Sequence, residues 1–223
     1  MKLYRYIKHF IYRTLLMLCL LYVPFSSFAQ FSNFWAFGYN NIMDFNTQSI
    51  HTYTNTCSSS GKTISSGEVG TFMCDKRGTL LFGLMEDAIV DKNLGMMING
   101  STIYRSCGYN SIIIIPFVGD TNQYYIFYFN TDSAVGNGCI RYNQPIGLYY
   151  SIVDMRLNGG LGGVKNANTR IFNGQGYVNA KTYTTTTNSR NANVVKHQNG
   201  KDYWLITNND TCIISYLINA NGI

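Results

Sequence analysis

Almost nowhere along this chain do apolar residues recur at the i, i+3, i+4, i+7 spacing of an amphipathic helix. Short apolar or alternating runs instead separate clusters of Gly, Asn and Asp, the pattern of strands joined by hairpins. Residues 69–74 form one run, Asp75-Lys76-Arg77-Gly78 turns the chain, residues 79–84 return, and 88–90 add a third strand. A second set opens with residues 111–115, apolar on both faces and therefore expected as a central strand ended by Pro116. The turn at 119–122 leads into 124–129, and 148–155 supplies another strand before four glycines at 158–163. In the third set, 192–197 meets the turn 198–201, 202–207 returns, and 212–218 follows the polar turn 208–210.

Strand, Asn/Asp/Gly turn, aromatic strand, turn and strand thus occur three times, with returning strands near Thr79, Tyr124 and Tyr203. One small antiparallel meander cannot bury its own faces, so such units must pack on one another. The expectation is an all-β fold of β-propeller-like antiparallel meanders, with about three recognisable blades and an incomplete ring. Residues 164–193, including the threonine-rich 182–187, are expected as an inserted loop or a weak strand pair.

The first 29 residues stand apart from this pattern. Lys2, Arg5, Lys8 and Arg13 precede an apolar stretch over 15–25, and Ser27-Phe28-Ala29 has the small-x-small form of a cleavage site. The division expected is therefore a signal peptide at 1–29 and a propeller-like β domain at 30–223, secreted or held at the cell surface. The alternative is an uncleaved anchor, against which stand the shortness of the stretch and Pro24. Leu18 before Cys19 argues against a lipid anchor, whose processing wants a small residue there.

Removing the leader changes the charge from a formal +6 to +2, with 13 basic residues against 11 acidic ones. No Lys/Arg run remains to neutralise a row of phosphates, so nucleic acid is not an expected partner. Hydrophobic residues make up 46% and charged ones only 13%, which excludes a disordered chain. Cys57, Cys74, Cys107, Cys139 and Cys212 lack any C-x-x-C spacing, so a zinc ribbon is not supported. Their odd number leaves at least one thiol free or paired with another chain; buried small hydrophobes with one bridge is the simplest reading.

Catalytic signals are sparse. Beyond the leader the only histidines are His51 and His197, and no H-E-x-x-H, G-x-S-x-G, Walker A or dinucleotide fingerprint is present. Glu86 and Asp87 are adjacent and would face opposite sides of a strand, while Glu86 and Asp91 could meet only through a loop; neither makes a ready glycosidase pair. No catalytic, cofactor-binding or metal-binding residues are assigned. Calcium is a weak possibility at Asp120-Thr121-Asn122 and Asn208-Asn209-Asp210, where turn chemistry alone already explains the residues. The aromatics are more suggestive. On 124–129, Tyr125, Phe127 and Phe129 share one face, expected to fill the core, and Tyr124 and Tyr128 share the other. Tyr124, Tyr128, Tyr150 and Trp204 are the candidate binding surface, offering flat rings with polar edges.

Several stretches carry a resemblance: FWAFG at 34–38 with MDFN at 43–46, DKRGTLLF at 75–82, MING at 97–100, YYSIVDMRLNGGLG at 149–162 and VKHQNGKDYW at 195–204. Together they resemble the N-terminal propeller-like region of exported Bacteroidetes surface proteins, which are associated with gliding motility and type IX secretion. Those proteins often continue into PKD-type repeats and a C-terminal sorting domain. The resemblance implies an exported WD-like β-propeller module with no catalytic residues to transfer. It also implies that 35–46 is an early strand completing a blade built mostly by later sequence. The chain stops at Ile223 without repeats or sorting domain and so reads as a short or truncated member. The function expected is a non-catalytic surface module presenting loops to surface polysaccharide or envelope proteins. The rival expectations are a secreted glycan-active hydrolase on the same scaffold and a non-functional fragment of a larger surface protein.

Overall fold

Strands in this chain pair with their neighbours in sequence, so each group of hairpins closes into its own small sheet. The computed structural model describes residues 33–37, 41–52, 56–57, 62–63, 70–85, 88–101, 103, 112–130, 147–171, 192–208 and 213–223. Sheet 1 consists of β1 (Phe34–Phe37), β2 (Asn41–Asp44) and β3 (Ser49–Thr52), in that order. A two-stranded ribbon, β4 (Thr56–Cys57) with β5 (Lys62–Thr63), follows. Sheet 2 holds β6 (Gly70–Cys74), β7 (Leu80–Met85) and β8 (Ala88–Asp91). Sheet 3 has four strands, β9 (Ile113–Phe117), β10 (Asp120–Asn130), β11 (Gly147–Asp154) and β12 (Gly163–Arg170). Sheet 4 is β13 (Ala192–Lys196), β14 (Tyr203–Asn208) and β15 (Ile213–Ile218). All ladders are antiparallel, and no α-helix or closed barrel occurs among the described residues. The chain is therefore all-β. No helix among the described residues is long and apolar enough to cross a membrane.

The sheets pack face to face, with apolar side chains filling the space between each pair. Ile42 of sheet 1 meets Phe72, Cys74, Met85 and Val90 of sheet 2 in a first layer. On the other side of sheet 2, Met73, Phe82, Leu84 and Ile89 meet Ile126, Tyr128, Tyr149 and Val153 of sheet 3. Beyond sheet 3, Tyr125, Phe127, Phe129 and Leu148 meet Leu205 and Ile218 of sheet 4. Between sheets the strands that approach one another are the first of each meander: β1 with β6, β6 with β9, and β9 with β13. Sheet 1 enters reversed: its Asn33 end lies at Gly78, beyond the C-terminal end of β6, while Ala36 lies against Gly70.

Two glycines of sheet 2 are required by close neighbours, one within the sheet and one from sheet 1. Gly83 sits opposite Phe72 in the β6–β7 ladder, where a methyl group would run into the Phe72 ring. Gly78 closes the β6–β7 turn at φ +83°, a conformation open to glycine, and a side chain there would strike Asn33 and Asn46 of sheet 1.

Several expectations need correction. Residues 35–46 do not complete a blade of later sequence, because β1 and β2 pair with each other and with β3 in a meander of their own. Among the described residues there are thus four sheets of three or four strands, where three units were legible. The 111–115 run becomes an edge strand, since β9 lies at the end of the order β12-β11-β10-β9. Both its faces are apolar because it runs where β6 and β13 converge, and Pro116 lies inside the strand, as an edge permits. Finally, the segment 164–193, expected as an inserted loop or a weak strand pair, begins with a strand, β12, which is the fourth strand of sheet 3. Residues 172–191, like the leader, lie outside the described residues.

Candidate functional site

One turn device recurs at strand ends. An Asp or Asn side chain accepts hydrogen bonds from the backbone N–H two residues on, and in places four on, which holds a tight turn without a longer loop. The N–H groups of Arg77 and Thr79 donate to Asp75 Oδ1 at 2.8 and 2.9 Å. Those of Asn93 and Gly95 donate to Asp91 Oδ1 at 2.7 and 3.1 Å. Asp44, Asp120 and Asp154 accept in the same way from Asn46, Asn122 and Arg156. In sheet 4 the acceptors are amides: Asn199 takes the N–H of Lys201 and Asp202, and Asn219 that of Asn221.

These turns adjoin one another at one end of the sheets. Asn46 of the β2–β3 turn donates through Nδ2 to the Gly78 carbonyl at 2.8 Å, joining sheet 1 to the first hairpin of sheet 2. Val164 N–H donates to the Ile98 carbonyl at 2.9 Å, joining the segment after β8 to the start of β12. Arg156, in the β11–β12 turn, spans to the β9–β10 turn, its Nη2 reaching Asp120 Oδ2 at 3.0 Å and Asp154 Oδ2 at 2.7 Å. A methyl group on Gly119 would then touch Ala220 of the last turn.

The electrostatics of this turn face follow from its geometry. Asp44, Asp91 and Asp154 are buried, with carboxylates turned toward their own backbone amides. The cations beside them, Lys76, Arg77, Lys92, Arg156 and Lys201, are all exposed. The Arg156 side chain holds the Asp154 carboxyl below its ordinary 3.8 against the opposing effect of burial. The backbone bond from Asn122 does the same for Asp120, helped by Gln123 and Arg156. Burial pushes Asp44 up, but the bonds from Asn46 and Thr47 together outweigh it and leave it lowered. All three are ionised at neutral pH; Asp44 and Asp154 are buried, Asp120 is partly exposed beside Arg156, and Lys76, Arg77, Lys92 and Lys201 are exposed at the turns.

The four aromatic candidates do not come together. Tyr128 is fully buried between sheets 2 and 3, where its hydroxyl donates to Asn168 Oδ1 at 2.9 Å and lies 2.7 Å from Ser151 Oγ. Tyr124, on the same face, is half-buried edge-on to Phe82 at 5.2 Å. Tyr150 is half-buried in the opposite layer, edge-on to Tyr125 at 5.5 Å. Trp204 alone lies on the outer face of sheet 4, 5.6 Å from His197. The phenylalanine parity of β10 fills a core as expected, but the tyrosine parity fills another. Both faces of sheet 3 are covered, because it lies between sheets 2 and 4.

Other candidates are placed as follows. His197 Nδ1 accepts the Asn199 N–H at 3.1 Å within the β13–β14 turn, where Asn199 Nδ2 also donates to Asp202. The Asp120 carboxylate is occupied by Asn122, Gln123 and Arg156. No group of three metal-ligating side chains occurs among the described residues. Cys74 is a free, buried thiol whose pKa is raised by burial. Glu68, Glu86, Asp87, Cys107, Cys139, Asn209, Asp210 and Cys212 lie outside the described residues.

The turn face carried a sequence signal that reading for aromatics passes over. Asp75-Lys76-Arg77, Asp91-Lys92, Asp154-Met155-Arg156 and Asn199-Gly200-Lys201 each place a cation one or two residues after the turn-forming Asp or Asn. At Asp75, Asp91 and Asn199 that offset leaves the cation exposed on the turn, whereas Arg156 folds back onto Asp154 and Asp120. No protein-family model, curated protein or solved structure matches the chain.

Proposed function

We propose that this protein is an exported, non-catalytic module of the cell surface whose turn face binds acidic surface polysaccharide. The observation that carries the reading is the sorting of charge on that face. Asp44, Asp91 and Asp154 are buried under their turns, and Lys76, Arg77, Lys92 and Lys201 stand exposed on turns held by side-chain-to-backbone hydrogen bonds. Rigid loops on a sheet scaffold lose little conformational entropy on binding, which suits a recognition surface. The leader-like sequence at 1–29 supports export. The succession of first strands from β1 through β6 and β9 to β13 supports a propeller-like arrangement, with each sheet as one blade. Sheet 1, whose first strand is reversed, contributes its second hairpin to the turn face in place of its first.

The test is binding of the exported protein to immobilised uronic-acid and neutral polysaccharides, with and without salt. The expected result is binding to the acidic polymers alone, weakened by salt and reduced about tenfold or more by the combined substitution Arg77→Ala, Lys92→Ala and Lys201→Ala. Equal binding to neutral polymers, or an unchanged affinity in the triple variant, would refute the reading.

A further inference from the structure

Interior sheets 2 and 3 each bury two apolar faces against two neighbours. Sheets 1 and 4 also carry apolar residues on both faces, yet among the described sheets each packs against another on only one. The register of sheet 1 sets Trp35, Met43 and Ile50 in one row across its three strands, on the face turned away from sheet 2. Sheet 4 sets Val195, Trp204 and Leu217 in one row across its three strands, on the face turned away from sheet 3. Ile50 is 60% exposed, and Ile213, on the same face as Leu217, is 80% exposed. Trp35 leans on Phe45 and is still 58% exposed. No described side chain in either row is charged. A surface selected for water alone would interrupt such rows with charge.

We propose that these two faces join two copies of this chain head to tail, the outer face of sheet 4 in one copy packing on the outer face of sheet 1 in the other. A second copy is the occupant argued for because the chain presents both halves of the contact, each built as a tryptophan-bearing apolar row on three strands. The stacking already present supplies the pattern: sheets meet face to face with first strands adjacent, and the reversed sheet 1 shows that either strand direction is accepted. A three-stranded face of this length covers roughly 250 Å² in outline. One junction then hides about 500 Å² counting both partners, and a closed ring of two copies about 1,000 Å², the least a specific pairing needs. Closure by two copies also avoids the open filament that a heterologous contact otherwise builds. The pairing uses no residue of the turn face, so it stands or falls separately from the polysaccharide reading.

The test is the mass of the exported protein by sedimentation velocity over a wide concentration range. The expected species has twice the mass of the exported chain. Ile50→Lys and Leu217→Asp, both on exposed positions, should each give monomers that keep the β circular dichroism and melting of the parent. Mixing the two variants in equal amounts should restore the dimer, because one junction is then unaltered and the other sets lysine against aspartate. Should Leu217→Asp fail to fold, Ile213→Asp at the more exposed position of sheet 4 replaces it, and should Ile50→Lys fail, Met43→Lys in the same row of sheet 1 replaces that. A parent that is monomeric at every concentration, an oligomer that survives both single substitutions, or a mixture that remains monomeric would overturn the proposal.

Discussion

Tyr128→Phe removes a single oxygen from the layer between sheets 2 and 3, and its cost reports whether that layer exists. The Tyr128 hydroxyl donates its one proton to Asn168 Oδ1, so in its 2.7 Å contact with Ser151 the serine must be the donor. The Asn168 N–H is shared between the two hydroxyl oxygens, at 3.2 Å to Tyr128 and 3.1 Å to Ser151. Deleting the tyrosine oxygen takes away the acceptor of the Ser151 hydroxyl, and Ser151 is itself fully buried. Removing one partner of a buried polar group costs about 1–3 kcal/mol, whereas trimming an exposed tyrosine hydroxyl costs less than about 0.5 kcal/mol. For a chain of this size about 1–3 kcal/mol lowers Tm by roughly 2–12 °C. Urea unfolding followed by circular dichroism measures it, with the m-value unchanged if only stability has altered. A Tyr128→Phe variant as stable as its parent would place the tyrosine at the surface and refute the two-sided burial of sheet 3.

Three further outcomes follow from the same geometry. Gly83→Ala drives a methyl group into the Phe72 ring and should destabilise by about 1–3 kcal/mol in the same unfolding assay. Asp44, Asp120 and Asp154 have lowered pKa values in the fold, so their contribution is complete above their ordinary 3.8 and is lost as pH falls through the folded values. Stability should therefore be level from neutral pH down to about 5 and fall below about 4. Arg156→Met should move that fall to higher pH, chiefly through Asp154, as read by melting temperature against pH. Cys74, buried and with a raised pKa, should resist alkylation in the native protein and react only on unfolding, as seen by mass spectrometry of the Cys74 peptide.

Much of the fold was legible because hairpins are local. The Asp75, Gly119 and Asn199 turns, and the strands on either side of them, follow from residues within a few positions of one another. What was not legible depends on neighbours distant in sequence. The 111–115 run is apolar on both faces whether it is central or, as here, at an edge that other sheets approach. The period of β10 correctly separates Tyr124 and Tyr128 from Phe127 and Phe129, but alternation cannot say that a second sheet covers the tyrosine side. β12 was legible only as an inserted loop or weak strand pair because Lys165, Asn166 and Asn168 are polar, and the strand is held by its ladder to β11 more than by burial along its length. The turn face was present as separate Asp-cation pairs. Only the stacking of the sheets shows that they share one end.

The most direct test of that shared surface is amide hydrogen exchange on the protein, with and without an acidic polysaccharide. The account predicts added protection at the turns 75–79, 91–95 and 199–202, with strands β7, β10 and β14 already protected and unchanged. Protection confined to other segments, or no change at saturating polysaccharide, would contradict it.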